Sequence, residues 1–183
     1  PMKRTTYQDL FIKICDLDPF SASLAQLNNT MQRFELQGIL SHEEKDKDQY
    51  LFLLLSHVIE PELAKEMLPV ALYNFPTTQA ALAKIRNGVA ERFEIYCQGV
   101  ELANGFHELT DAEAQKQRFQ VDIAQRKARG LPAMQTSDEF LLKALGHGLP
   151  ACSGVALGVD RLLALALRYD NISQCMAFPF ANA

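Results

Sequence analysis

The sequence has 183 residues, 48% of them hydrophobic, with 18 Lys and Arg against 22 Asp and Glu and a formal net charge of -4. This size and composition predict one globular domain with a substantial core, and the charge excludes an overall basic field that would draw the chain onto nucleic acid or anionic membranes. The four cysteines are far apart and have no CxxC spacing, so neither a zinc site nor a disulfide framework is indicated.

The longest apolar runs, "LFLLLSHVI" and "LLALAL", are too short to cross a bilayer core of about 30 Å, and no signal peptide opens the chain. We therefore expect a soluble, cytoplasmic protein with reduced thiols and no membrane partner. The chain opens with Pro1 and then Met2, which predicts that it is a piece of something longer.

The first third, residues 7–67, has apolar residues at helical spacing and is predicted to be mostly helix. Within it, the charged run "SHEEKDKDQY" is interpreted as a solvated helix start, with Ser41 as N-cap and Glu44 completing a capping box. We assign this run no catalytic role.

A sheet is predicted after residue 68. "PVALYNFP" is interpreted as a short strand bounded by prolines, and "VAERFEIYCQ" followed by "GVELANGF" indicates two antiparallel strands joined by a tight turn at Gln98 and Gly99. The last strand is "CSGVALGVD", which leads through Gly158 into an apolar helix.

Two helices are predicted between these strands. The first begins at a capping box of Thr110 and Glu113, turns Phe119 and Ile123 inward, and ends at Gly130 and Pro132. The second covers about residues 137–145 and ends at the turn of residues 146–148.

The hairpin carries the first candidate for chemistry. Residues two apart on a strand share a face, so Asn104, Phe106 and Glu108 point together, as do Arg92, Glu94 and Tyr96 on the partner strand. Glu101 has the wrong parity for this group, and it can join only if a β-bulge lies between Glu101 and Asn104. Carboxylates facing a cleft can hold a divalent metal on phosphates or bind a substrate ammonium group. Two or three acidic residues alone, however, are more often a solvated face with ordinary salt bridges.

The second candidate is "SGVALGVDR". Gly154 and Gly158 permit close backbone approach, and Arg161 lies in the first turn of the next helix, where a guanidinium and amide dipoles suit phosphate oxygens. The alternative is a tightly packed strand–helix joint with Asp160 and Arg161 in a structural ion pair. The four histidines are scattered and no nucleophilic triad is indicated; His107 has the wrong parity for the acidic face and is interpreted as a surface or supporting residue.

Taken in order, "RFEIYCQGVELANGFHELTDAEAQKQRF", "GLP", "CSGVALGVDRLLALAL" and a terminal "AFPF" resemble the C-terminal half of a class II lysyl-tRNA synthetase catalytic domain. The closer resemblance is to the stand-alone paralogues of that enzyme, the elongation factor P (R)-β-lysine ligases, because Ala156 stands where true lysyl synthetases usually have glycine. The resemblance implies an α+β fold, an antiparallel sheet flanked by helices. It makes residues 1–183 a single partial catalytic domain, with a mainly helical insertion at 1–68 and motif 3 within 69–183.

The resemblance also implies an activity. ATP, with Mg²⁺, would activate (R)-β-lysine or L-lysine as an adenylate, and the acyl group would pass to a lysine of elongation factor P, with a tRNA partner not expected. Catalysis would need no protein nucleophile, since charge neutralisation and positioning supply it. The implied residues are Glu94 and Glu101 for metal and ATP, Leu102 and Gly158 along the nucleotide, Arg161 on the γ-phosphate and adenine, and Asn104, Glu108 and Ala156 at the amino-acid substrate.

The chain departs from that family in lacking motif 1, which forms the homodimer interface expected for the complete protein, and motif 2, whose arginine clamps the α-phosphate and substrate carboxylate. We therefore expect the 183 residues to be inactive alone and to leave an exposed sheet edge that invites pairing between chains. Two alternatives stay open: a fragment of an authentic lysyl-tRNA synthetase, and a non-catalytic binding paralogue that keeps the fold.

Overall fold

The structure is a computed structural model that describes residues 1–132 and 137–179. The last residue of "AFPF", Phe180, lies outside the described residues. Within the described ranges the chain forms one sheet of six strands: β1 (Lys3–Thr6), β2 (Val70–Phe75), β3 (Ile85–Arg86), β4 (Val89–Cys97), β5 (Val100–His107) and β6 (Ser153–Leu157).

The sheet has the order β1-β2-β4-β5-β6, with β3 pairing on β4 beside this path. β1 and β2 are parallel and the other pairs are antiparallel. The predicted hairpin turn is confirmed: Gln98 and Gly99 both have positive φ angles, 52° and 78°, as the favoured two-residue hairpin turn requires. Strand β1 was not predicted, because "KRTT" has no apolar alternation.

Helices flank the sheet, which confirms the predicted α+β class. α3 (Lys47–Leu54) continues through a π-helical turn, Leu55–Ile59, directly into α4 (Glu60–Leu63). The helices in the described residues are α1 (Tyr7–Cys15), α2 (Leu24–Arg33), α3 (Lys47–Leu54), α4 (Glu60–Leu63), α5 (Ala112–Ala128), α6 (Glu139–His147) and α7 (Val159–Leu167). No helix within these residues is both long and apolar enough to cross a membrane.

The predicted capping box of Ser41 and Glu44 is wrong. α3 begins only at Lys47, where the Asp46 carboxylate accepts a hydrogen bond from the Asp48 N–H. The Glu44 carboxylate instead accepts from the N–H groups of the next two residues, Lys45 and Asp46, at 2.9 and 2.8 Å. The charged run therefore forms a local turn before the helix begins. Acidic side chains commonly bond to nearby backbone amides in this way.

The start of α5 is also displaced by one residue from the prediction. Asp111, not Thr110, is the N-cap, and its carboxylate accepts from the N–H groups of Glu113 and Ala114. The predicted stop is confirmed, since Gly130 has a φ of 67° just beyond the last turn. Phe119 and Ile123 are only half-buried on this helix, whereas Gln115 is buried.

The main apolar core joins the helices of the first third to the sheet. α1 packs on β2, and side chains of β2 and β4 complete the same cluster. The face of β2 and β4 that carries Leu72 and Tyr96 therefore lies under helices. The order of the strands leaves β6 at the end of the sheet, with one edge unpaired within the described residues.

Candidate active site

A β-bulge brings Glu101 onto the face of its neighbours. In the pairing of β4 with β5, Ile95 is opposite Ala103 and Tyr96 is opposite Glu101, so Leu102 is an extra residue in β5. The extra residue resets the alternation of side chains, as bulges do. The predicted bulge between Glu101 and Asn104 is thereby confirmed, and Leu102 is the residue that forms it.

Glu94 is the buried centre of this face. It is only 5% exposed, and its two oxygens have protein partners. Oε1 accepts from Arg92 and from Asn104 Nδ2, the latter at 3.3 Å, and Oε2 accepts from the Tyr96 hydroxyl at 2.6 Å. A buried carboxylate is stable only when it is paired and hydrogen-bonded in this way, so its position is fixed by the fold.

Arg92 supplies the compensating charge and is itself held in place. Its Nη1 donates to the carbonyl of Gln79 at 3.0 Å, and its guanidinium lies 4.6 Å from the centre of the Phe75 ring. The cation is thus anchored between a backbone carbonyl and an aromatic face before it meets Glu94. The ion pair of Arg92 with Glu94 therefore has a fixed position in the site.

The two candidate motifs meet at the bulge. The Gly158 N–H donates to the Leu102 carbonyl at 2.8 Å, and Arg161 Nη1 donates to the Glu101 carbonyl at 2.8 Å. Arg161 also lies 3.7 Å from the Glu101 carboxylate, with more than half of its side chain exposed. The structural alternative that paired Arg161 with Asp160 is replaced by a contact across the sheet.

Asn104, Ala156, Gly154 and Glu108 form the other side of the site. Asn104 is directly opposite Ala156, and Phe106 is opposite Gly154, so these residues share the face of Glu94. The Glu108 carboxylate lies over Gly154, because a Cβ added to that glycine would overlap Oε1 of Glu108. All four predicted acidic and amide residues of the hairpin therefore converge.

The electrostatics of this face disfavour further negative charge. Burial raises the pKa of Glu101, and the nearby Glu94 carboxylate raises it further, while Arg161 and Arg92 act in the opposite direction. Asn104 Oδ1 is buried and has no hydrogen-bond partner among the described residues. The face thus offers an acceptor and carboxylates that a cation would stabilise.

The structure also supports a fit to magnesium at Glu94 and Glu101. Among the described residues no group of three or more His, Cys, Asp or Glu side chains could hold a metal by itself. Mg²⁺ bound with nucleotides commonly takes one or two carboxylates and completes its shell with phosphate oxygens and water. Two carboxylates, one of them partly exposed, match that requirement.

His107 lies apart from the site, as its parity predicts. Its Nδ1 contacts the Glu91 carboxylate at 2.5 Å, and its Nε2 lies 3.4 Å from Lys84 Nζ. A cavity of about 430 Å³ between α5 and α6 shares no lining residue with the candidate site. The site is identified by converging chemistry on the sheet face that carries Glu94.

Glu60 also contributes to the candidate site, although the sequence did not predict it. The Tyr96 hydroxyl lies 3.3 Å from Glu60 Oε1, although Glu60 belongs to the helical first third of the chain. "HVIEPEL" has no spacing that marks Glu60, and only the tertiary fold places it beside β4. The strand alternation places Tyr96 and Arg92 on the correct face but predicts no role for them in the site.

Comparison with known proteins identifies one matching family and several relatives that share one name. A family model described as tRNA synthetases class II (D, K and N) matches residues 2–182. A protein of Edwardsiella ictaluri named elongation factor P (R)-β-lysine ligase is 51% identical over 97% of this chain and 55% of its own length. Proteins of the same name from Hamiltonella defensa and Salmonella typhi are 48% and 49% identical over 97% and 100% of this chain, and over 55% and 56% of their own lengths. The chain spans about half the length of the curated relatives it matches.

Proposed function

Because this chain belongs to the class II tRNA synthetases (D, K and N), we propose that it forms the part of an elongation factor P (R)-β-lysine ligase that binds ATP and a lysine-type amino acid. The name of the relatives supports the acceptor, and the converging side chains support the substrates. The single observation that carries the proposal is the bulge that gathers Glu94, Glu101 and Asn104 on one face.

Glu94 and Glu101 take the ATP side of the site. They would hold Mg²⁺, which would neutralise the negative charge of the phosphates. Leu102 and Gly158 would line the nucleotide next to them, since their backbones are joined at the bulge. Arg161 would contact the γ-phosphate and adenine, a role that the exposure of its side chain and its position beside Glu101 support.

Asn104 and Glu108 take the amino-acid side. The unpartnered Asn104 Oδ1 can accept from a substrate amine, and the Glu108 carboxylate over Gly154 suits a side-chain ammonium. Ala156 lies opposite Asn104, so its methyl group occupies space next to the amine subsite. Ala156→Gly should therefore shift preference from (R)-β-lysine toward L-lysine, whose amine is one carbon nearer the carboxylate.

The chemistry follows as two balanced transfers. A substrate carboxylate oxygen attacks the α-phosphorus of ATP, the bond to the β-phosphate oxygen breaks, and pyrophosphate leaves. The amine of an elongation factor P lysine then attacks the acyl carbon, AMP leaves with the bonding electrons, and the amine loses a proton. The residues of this chain contribute by binding, orientation and charge neutralisation.

The complete protein is proposed to be a cytoplasmic homodimer without a tRNA partner, and the 183-residue chain to be inactive alone. The test is ATP–pyrophosphate exchange by the gene's complete product with (R)-β-lysine, with L-lysine and with no amino acid. We expect exchange that depends on the amino acid and is greatest with (R)-β-lysine. Absence of exchange with both amino acids would contradict the proposal, and transfer of lysine to tRNA would favour an authentic synthetase.

A further inference from the structure

Glu60 lies at one end of a short hydrogen-bonded chain that leads into the candidate site. The Tyr96 hydroxyl lies 2.6 Å from Glu94 Oε2 and 3.3 Å from Glu60 Oε1. Tyr96 is 2% exposed and Glu94 is 5% exposed, so neither can exchange these partners for water without moving the chain. Glu60 is half-buried beside them.

The packing of α4 on the hairpin fixes where Glu60 lies. A Cβ added to Gly99 would come 2.8 Å from Ala64 Cβ and 3.2 Å from the Glu60 carbonyl oxygen. The β4–β5 turn therefore presses directly on the α4 backbone, in a space that only glycine fits. This contact is independent of the side-chain hydrogen bonds and holds the backbone of Glu60 beside the hairpin that carries Tyr96.

The Tyr96 hydroxyl is the donor in this group of side chains. A phenol has one proton to donate, and the shorter contact gives it to Glu94. Burial raises the pKa of Glu60, and the Glu94 and Glu101 carboxylates add to that effect, while Tyr96 and His57 oppose it. The Tyr96 hydroxyl therefore lies between the Glu94 and Glu60 carboxylates and contacts both.

We propose that Glu60 is a positioning residue of the candidate site: through the Tyr96 hydroxyl it holds the Glu94 carboxylate in its binding position. The positioning follows from the geometry alone. Its consequence for ATP rests on the proposed function, in which Glu94 binds magnesium and phosphate. The helical first third of the chain thus contributes to the site from outside the two motifs that define it.

The direct test is the ¹³Cζ resonance of Tyr96 in the 183-residue chain labelled at tyrosine, assigned with Tyr96→Phe. Glu60→Ala should shift this resonance, and Glu60→Gln, which keeps a hydrogen-bonding group of the same size, should return it toward the wild-type position. Glu62→Ala is the matched control, because Glu62 lies on the same helix and pairs with Lys65 in solvent. A resonance that moves no more in Glu60→Ala than in Glu62→Ala would overturn the proposal.

A second readout separates the proposal from the function on which it builds. The affinity of the same chain for Mn²⁺ should fall about tenfold in Glu60→Ala, because a hydrogen bond to a charged group is lost. In Glu60→Gln the affinity should change less than about twofold. Equal losses in both variants would make Glu60 a direct ligand and overturn its positioning role. If the wild-type chain binds no Mn²⁺, the proposed metal site fails while the tyrosine resonance still decides the role of Glu60.

Discussion

The two ends of the sheet differ in how much of their apolar surface is covered. At the helical end, Leu54 and Leu72 are fully buried, whereas at the β6 end Val155 is 60% exposed and Val159 66% exposed. The candidate site lies across the boundary between them. Glu94 is held by the packed end, while Arg161 belongs to the open end and is half exposed.

The candidate site therefore has one rigid half and one lightly supported half. Glu94 is fixed by Arg92, Tyr96 and Asn104, all within the covered sheet. The start of α7 is tied to β5 mainly by the Gly158 and Arg161 hydrogen bonds to the bulge. Variants at the two ends should therefore have unequal effects.

The largest difference is expected for matched truncations of leucine. Leu54→Ala should lower the free energy of unfolding by about 3 kcal/mol, because it leaves a cavity in a fully buried position. Leu163→Ala, at a position 40% exposed on α7, should cost less than about 1 kcal/mol. Denaturant titration of both variants measures the difference, and equal costs would show that the β6 end is covered in solution.

Two glycines, Gly105 in β5 and Gly146 in α6, differ in the space available for a side chain. A Cβ at Gly105 would overlap the Phe93 ring and come 2.7 Å from the Gly154 carbonyl, so Gly105→Ala should destabilise the fold by about 2 kcal/mol. Gly146 in α6 has nothing within 4 Å of an added Cβ, so Gly146→Ala should be neutral or slightly stabilising. Thermal unfolding compares them, and a neutral Gly105→Ala would mean that β5 and β6 are not tightly paired.

Several features could be predicted from the sequence because they depend on local pattern. Strand alternation fixed the parity of Glu101 and so required the bulge, and the Gln98 and Gly99 pair specified its hairpin. Helix starts were less certain, since the N-caps are Asp46 and Asp111 and not the nearby Ser41 and Thr110. In both cases several candidate capping residues stand together, and local sequence does not choose between them.

Features that depend on distant parts of the chain could not be predicted. β1 forms because "KRTT" finds a parallel partner in β2, 67 residues away in the chain, and its own composition shows no strand pattern. Glu60 reaches Tyr96 only because α4 packs on the hairpin turn. Such contacts follow from tertiary packing, which spacing along one segment does not reveal.

The two edge strands of the sheet, β1 and β6, also differ in charge. β1 carries Lys3 and Arg4, charges that discourage edge pairing, whereas β6 reads "SGVAL" and has none. We expect the 183-residue chain to self-associate through β6, and Val155→Lys to weaken that association about tenfold, an estimate for one charge placed at an apolar contact. Sedimentation at several concentrations tests this, with Thr5→Lys on β1 as control. A mass that does not change with concentration would contradict the expectation.

The smallest expected effect concerns Glu101. Its pKa is raised by burial and by Glu94, so the ionised carboxylate is less favourable in the folded chain than in the unfolded chain. Glu101→Gln should therefore raise the Tm slightly at neutral pH. The gain should shrink as the pH falls through the raised pKa, because the wild-type carboxyl is then protonated in the folded state.

Thermal unfolding at neutral and mildly acidic pH measures this difference. Glu43→Gln, at an exposed loop position, is the control that should leave both values unchanged. A loss of Tm at neutral pH in Glu101→Gln would show that the contact with Arg161 outweighs burial and repulsion. The same result would make Glu101 a structural residue more than a binding one.

We propose that one sheet face contains two subsites, with Glu94 and Glu101 for ATP and Asn104 with Glu108 for a lysine-type amino acid. The most direct measurement is ATP–pyrophosphate exchange by the gene's complete product carrying Glu108→Gln, with Glu113→Gln on α5 as control. We predict that the KM for (R)-β-lysine rises at least about tenfold, as for loss of a charged hydrogen bond, while the KM for ATP changes less than about twofold. Equal increases in both KM values, or no change in either, would contradict the division of the face into two subsites.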